Sequence, residues 1–286
     1  MKSLCIKTNN ANILKYLLNE LKFCNINEIF FSSTNFKIYK NIIIHYTGKN
    51  DEYFISEISK LLSILIIDEL EENIIMKSLS KNYFYFDTSE KNKIIEIYYD
   101  NITTNFYETF NTKLSLINFS IEKYIHENKS LVLDGFINFR LKNYLNFLDE
   151  LIQESISNYI VQKEYLEFIS LLKSYIYSQD CLSDTIHLIY SSSESVLLND
   201  KKEVIFNLND NLNSKFLSDI SFSSNDYTLN SLLTLLPKHL HIHLIDNVID
   251  EFITTLQLIF AKKNHICTDC SICKLYKGNE FKILEK

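Results

Sequence analysis

The sequence predicts an α+β protein with a small N-terminal α/β layer, a central antiparallel helical region and a C-terminal mixed α/β unit, spanning residues 1–102, 103–180 and 181–286. Three observations predict it. Apolar residues recur three and four apart at Leu141, Tyr144, Leu145, Leu148, Ile152, Ile156, Tyr159 and Ile160, then at Tyr165, Phe168, Ile169, Leu172 and Ile176. That is the spacing of two successive amphipathic helices. Short apolar runs between polar turn residues flank this stretch on both sides, as strands do. Residues 178–184 are polar and change the period, which places a boundary near 180–184.

In chain order, a strand at 4–7 leads to a helix capped by Asn9 or Asn10, with Ile13, Leu14, Leu17, Leu18 and Leu21 on one face. Runs at 28–32, 36–39 and 41–46 read as strands, 47–51 as a turn and 52–67 as a helix. This order suggests helices covering one face of a mainly antiparallel sheet. From 68 to 130 the signal is helical. Glu69, Glu71 and Glu72 head one segment, where negative charge suits the dipole. Asp87 followed by Glu90 imitates a capping box before Ile94, Ile95 and Tyr98. Phe106, Phe110, Leu114, Ile117 and Ile121 form a further face that ends at His126. The aromatic run Tyr83, Phe84, Tyr85, Phe86 has no interleaved basic residues, so it reads as core between two helices and not as a base-stacking platform.

Beyond the boundary, 185–190, 195–198 and 203–206 read as short strands, and 216–220 and 229–236 as helical faces. Pro237, the only proline, ends the last of these because its ring cannot continue the hydrogen-bond ladder. A strand at 238–245 and a helix at 247–261 follow.

Composition limits the function. With 286 residues, 46% hydrophobic and 23% charged, the chain can bury a large core. A net charge of -7 argues against nucleic-acid binding through a general basic footprint. Between 262 and 286, Lys262, Lys263, Lys274, Lys277 and Lys282 face Asp269, Glu280 and Glu285, too slight an excess to reverse that. The longest apolar run, 61–67, is too short to cross a bilayer, and the N-terminus has no signal-peptide core. A cytoplasmic protein without membrane association is expected. Six cysteines in that setting suggest thiols and not a disulfide framework. Three Gly, no Trp and a surplus of Asn, Ile, Lys and Tyr point to an AT-rich genome. No glycine loop that could cradle phosphate and no serine nucleophile motif is present, which leans away from an enzyme.

Two constellations could carry chemistry. Cys267, Cys270 and Cys273 have two-residue gaps that let thiolates converge on one ion, and soft sulfur favours zinc or iron–sulfur chemistry. A tetrahedral zinc needs a fourth ligand, which His265 or a histidine of the 239–243 strand, His241 or His243, could supply. Redox thiols and plain cytosolic cysteines are the competing readings. His239, His241 and His243 alternate with Leu240, Ile242 and Leu244, so the three imidazoles share one strand face, either as a half-buried polar face or as metal ligands. Arg140 is the only arginine among 29 basic residues. It is a survivor of codon drift, a structural fork to a carboxylate such as Asp134, or a contact to a ligand or partner.

The segment Asp134-Gly-Phe-Ile-Asn-Phe-Arg140-Leu-Lys, the stretch Lys163-Glu-Tyr-Leu-Glu-Phe-Ile169 and the terminal cysteines resemble the YtxC family of sporulation proteins from spore-forming Firmicutes. So does Asn82-Tyr-Phe-Tyr-Phe86 followed by Glu90. The resemblance implies a cytoplasmic protein connected with endospore formation and carries no catalytic residues. Three functions are compatible: an accessory or interaction protein with a sporulation-related partner and a structural zinc in its tail, a metal-dependent enzyme using a His/Cys site, or a ligand or nucleic-acid binder.

Overall fold

The computed structural model describes residues 2–277 except 25, 27, 37, 38, 193 and 206–222. It is an α+β protein with two four-stranded sheets. Contacts divide it into two units, Met1–Val161 and Gln162–Lys286, a different division from the three segments read in the sequence.

The first unit holds β1 (Lys2–Thr8), β2 (Ile29–Asn35), β3 (Lys40–Tyr46) and β4 (Ser130–Val132) in the order β2-β3-β1-β4. β1 is antiparallel to β3 and parallel to β4. Alternation buries Leu4, Ile6, Ile42, Ile44 and Leu131 on one face. Phe36 and Tyr39 lie outside any strand: the Phe36 N–H donates to the Tyr39 carbonyl at 2.9 Å and closes the β2–β3 hairpin, and residues 37 and 38 are not described.

The helices of this unit are α1 (Ala11–Phe23), α2 (Asp51–Leu65), α3 (Glu71–Asn82), α4 (Thr88–Thr104), α5 (Phe106–Glu127) and α6 (Leu133–Arg140). Asn10 caps α1, and the Asp87–Glu90 capping box of α4 is formed in both directions. Side chains such as Ile58 and Leu62 are fully covered. Each contributes about 1.5–3 kcal/mol by leaving water. The buried stripe of α5 is Lys113, Ile117, Ile121 and Ile125, so Phe106, predicted on that face, is instead exposed. Of the aromatic run between α3 and α4, Phe86 packs edge-on against Tyr159, but Phe84 and Tyr85 face solvent. The turn is too tight to bury all four rings.

A π-helical turn, Ile66–Leu70, joins α2 to α3 and aims Glu71 into the core. There Glu71 Oε1 accepts from Lys113 Nζ at 2.6 Å and from the Tyr98 hydroxyl at 2.8 Å, and Oε2 accepts from the Tyr144 hydroxyl at 2.8 Å. Lys113 also donates to the Tyr98 oxygen at 2.8 Å. The four side chains are almost wholly buried, and every charge in them has a partner. Burial first, and then the Glu71 charge, hold the Tyr98 and Tyr144 phenols far above their ordinary range.

The two helices predicted from 141 to 176 are one, α7 (Lys142–Ser178, 37 residues). Val161, Gln162, Lys163 and Glu164, where the pattern slips, include no Gly or Pro to break it. The central antiparallel pair therefore does not form, and the division between units falls within this helix.

The second unit contains β5 (Ser183–Ser191), β6 (Glu194–Leu198), α8 (Ser224–Leu235), β7 (Pro237–Leu244), α9 (Glu251–Phe260), β8 (Asn264–Cys267) and α10 (Ser271–Tyr276). Its sheet order is β6-β5-β7-β8, with β5, β7 and β8 parallel. Leu236, in the left-handed region at φ 41°, and Pro237 turn the chain from α8 into β7. Ile186, Leu188, Leu240, Ile242 and Leu244 meet Leu232, Ile253, Leu256 and Phe260 on one face. Among the described residues of the predicted 203–206 strand, Val204 makes a single bridge to Leu198; residue 206 and the predicted helical face at 216–220 lie outside the described residues.

Candidate metal centre

The opposite face of the second sheet carries the chemistry. Alternation along β7 puts Leu240, Ile242 and Leu244 in the core and His239, His241 and His243 on the other side. Parallel pairing sets His243 beside Cys267 at the end of β8. The chain then turns through Thr268 and Asp269, held by Lys277 Nζ donating to the Thr268 carbonyl at 3.0 Å. Cys270 caps α10: its sulfur accepts from the Cys273 N–H at 3.4 Å, and its carbonyl from the Lys274 N–H at 2.9 Å. Ile272 packs with Ile189 and Leu198, which seats this short helix on the sheet.

Four ligand atoms converge as a result. His243 Nδ1 lies 3.3 Å from Cys270 Sγ and 3.5 Å from Cys273 Sγ. Cys273 Sγ lies 3.6 Å from Cys270 Sγ and 3.9 Å from Cys267 Sγ. All four atoms fall within 4.8 Å of one another. For a tetrahedral ion with zinc-like bonds, the edges are about 3.8 Å between sulfurs and about 3.6 Å between nitrogen and sulfur. The sulfur–sulfur separations bracket the first value and the two nitrogen–sulfur separations fall slightly short of the second, so the cluster could hold a metal ion. His243 and Cys273 are buried, Cys267 and Cys270 half-buried.

The electrostatics suit a cation. Burial, reinforced by His187, His241, His265 and Lys202, pushes His243 down to about 4, so its imidazole is neutral at pH 7 and keeps a lone pair. Burial pushes the Cys273 thiol up to about 11. For Cys270, burial acts upward, but the Cys273 N–H and the neighbouring thiols outweigh it and the net shift is down. A dication among the sulfurs would reverse the cost of ionising them. His187 Nδ1 stands 3.0 Å from His243 Nε2. With Nδ1 of His243 turned to the sulfurs, its Nε2 carries the proton and donates to His187, which fixes ring and tautomer.

Of the residues singled out in the sequence, Cys267, Cys270, Cys273 and His243 come together. His265 and His241 are each two residues back along their strands, about 7 Å from that level, and stand outside the group. His187 went unnoticed, although it shares a face with Thr185 and Ile189. All six cysteines are free. Arg140 is exposed at the last position of α6, and Asp134 is at its second. Six residues along a helix separate them by about 9 Å along the axis and about one and two-thirds turns, on different faces, so the fork to Asp134 is not made. Lys282 lies outside the described residues, and no described helix is long and apolar enough to cross a membrane.

Residues 56–265 match the model of the YtxC-like family. The span contains Arg140 and His243 and stops two residues short of Cys267. No curated protein and no solved structure matches the chain.

Proposed function

Because the chain belongs to the YtxC-like family, we propose that it is a cytoplasmic accessory protein of spore formation, acting through a protein partner, whose C-terminal unit is stapled by one zinc ion. The convergence of His243 Nδ1 with the sulfurs of Cys267, Cys270 and Cys273 carries the zinc reading. A thiolate-rich, tetrahedral donor set favours zinc, and four protein ligands close its shell, as structural sites do. Such an ion ties β7, β8 and the six-residue α10 together. The sporulation reading rests on the resemblance of the 134–142 and 163–169 segments to YtxC sequences. Arg140 and Phe139, both exposed at the end of α6, are our candidates for the partner contact.

Metal analysis of protein purified anaerobically and dialysed against a weak chelator tests the site. One zinc per chain is expected, lost in Cys270→Ser, with the melting of the second unit falling on strong chelation. A chain that keeps full stability without metal and binds zinc no better than its Cys270→Ser variant refutes the staple. Zinc retained with an exchangeable water ligand would instead support a metal-dependent enzyme. A host strain lacking the gene, scored for heat-resistant spores, tests the process; normal spore yield would refute it.

A further inference from the structure

Three helices of the first unit enclose a groove that the metal cluster has no part in. It runs between α3, α6 and the start of α7 and has a volume of 430 Å³. The buried side chains of Ile137, Leu148 and Ile152 form its floor, with the half-buried Ile74 and Leu145 beside them. From Leu70, at the π-helical turn, to Asn82, at the end of α3, lining residues recur on every turn, over about 18 Å. Phe139, 73% exposed, stands at the rim.

Several polar groups on these walls satisfy one another. The Ser78 hydroxyl donates to Asp149 Oδ1 at 2.9 Å and accepts from Asn82 Nδ2 at 3.3 Å, and Asn138 Nδ2 donates to the Asp134 carbonyl at 2.8 Å. Three charged side chains are left over. Asp134 Oδ2 is shielded from water and meets no donor among the described residues. Its place in the first turn of α6 suits the helix dipole, but that does not supply the hydrogen bond a covered carboxylate oxygen needs. Lys77 and Lys81, exposed one turn apart on the α3 wall, have no ion-pair partner among the described residues. An apolar floor with an orphan anion on one wall and two free cations on another complements an amphipathic segment that carries both signs. We propose that the groove docks an amphipathic helix of a partner protein, about twelve residues long to match the α3 wall. Its apolar side lies on Ile137, Leu148 and Ile152, a Lys or Arg reaches Asp134, and acidic residues one turn apart meet Lys77 and Lys81. The inference rests on the reading that the chain acts through a protein partner, and it extends the contact from Phe139 and Arg140 into the groove beside them. The basic residue supplies the missing donor where water is excluded, so it is the specific contact, while the exposed lysine pairs set orientation and rate.

The probe is a phage-displayed library of short random peptides, selected on the immobilised full-length chain and compared with selection on Lys77→Glu/Lys81→Glu. Both lysines are exposed, so that variant should keep its circular dichroism. Peptides enriched on wild type alone are expected to combine apolar residues at helical spacing with acidic and basic ones, and to gain helical circular dichroism on binding. Synthetic copies should lose about tenfold or more in affinity for the charge-reversed chain and regain it when their acidic residues become lysine. Asp134→Asn should weaken them too, and a peptide whose basic residue is replaced by alanine should no longer feel that change. If nothing enriches, or the enriched peptides bind both chains alike, the groove does not dock a helix. If their sequences match a segment of this chain and the protein sediments as a dimer, the occupant is a second copy and the partner helix is overturned. Charge-dependent peptide binding alongside normal spore yield in the deletion strain would support the groove and remove the spore reading, so the two fail separately.

Discussion

Replacing Lys113 by Met should destabilise the first unit by about 3–5 kcal/mol, the typical effect of removing one partner of a buried ion pair. The methionine nearly matches the lysine stem in length, so packing changes little and the loss is electrostatic. Glu71 would keep the Tyr98 and Tyr144 hydroxyls, each at 2.8 Å, but lose the ammonium at 2.6 Å, in a site where Glu71 is 2% and Lys113 3% exposed. For a unit of this size the melting temperature should fall by about 6–20 °C, at about 2–4 °C per kcal/mol. Urea unfolding followed by circular dichroism gives the free energy directly. Glu71→Gln alone strands the lysine and should be comparably harmful. The double variant Glu71→Gln/Lys113→Met leaves no buried charge and should be better than the sum of the singles by about 2 kcal/mol or more. A Lys113→Met loss below about 1 kcal/mol, or strict additivity in the cycle, would refute the claim that the pair is desolvated and mutually dependent.

Alkaline stability should report the same cluster. Tyr98 and Tyr144 keep their protons in the folded chain well above the pH at which an unfolded tyrosine ionises, so stability is level below about pH 10 and falls above it, by about 1.4 kcal/mol per pH unit for each phenol; Tyr98→Phe should flatten that slope in denaturant midpoints measured from pH 9 to 11. Gly48 and Gly135 should respond to alanine with opposite signs. A Cβ at Gly48 would lie 2.2 Å from the hydroxyl oxygen of Tyr46, a buried ring stacked on Phe54, so Gly48→Ala should cost about 1–3 kcal/mol. At Gly135, inside α6, the nearest atom would be Val132 Cγ1 at 3.9 Å, and Gly135→Ala should stabilise by about 0.5–1 kcal/mol in the same unfolding assay.

The sequence made regular elements legible wherever one period ran long enough. The α1 stripe of Ile13, Leu17 and Leu21 and the Asp87–Glu90 box were readable because each is a local pattern. β4 escaped because three residues carry no period, although it completes the first sheet beside β1. The cysteine trio was readable from spacing alone. Its histidine partner was not, since alternation treats His239, His241 and His243 alike and only the pairing of β7 with β8 puts His243 next to Cys267. The Glu71 quartet was hidden by distance along the chain. A signal did exist, in that Lys113 falls four residues before Ile117, in phase with Ile121 and Ile125. A charge inside an apolar stripe is costly unless something meets it.

The π-helical turn before Glu71 accommodates one more residue per turn than the α-helices on either side of it. Winding the same five residues, Ile66–Leu70, as ordinary α-helix would swing Glu71 by about one residue's rotation, about 100° around the axis, away from its three donors. The wide turn and the carboxylate it aims are thereby coupled in descent: a lineage whose turn rewinds as α-helix without losing a residue has no further use for the acid, and its lysine should drift to an apolar residue alongside.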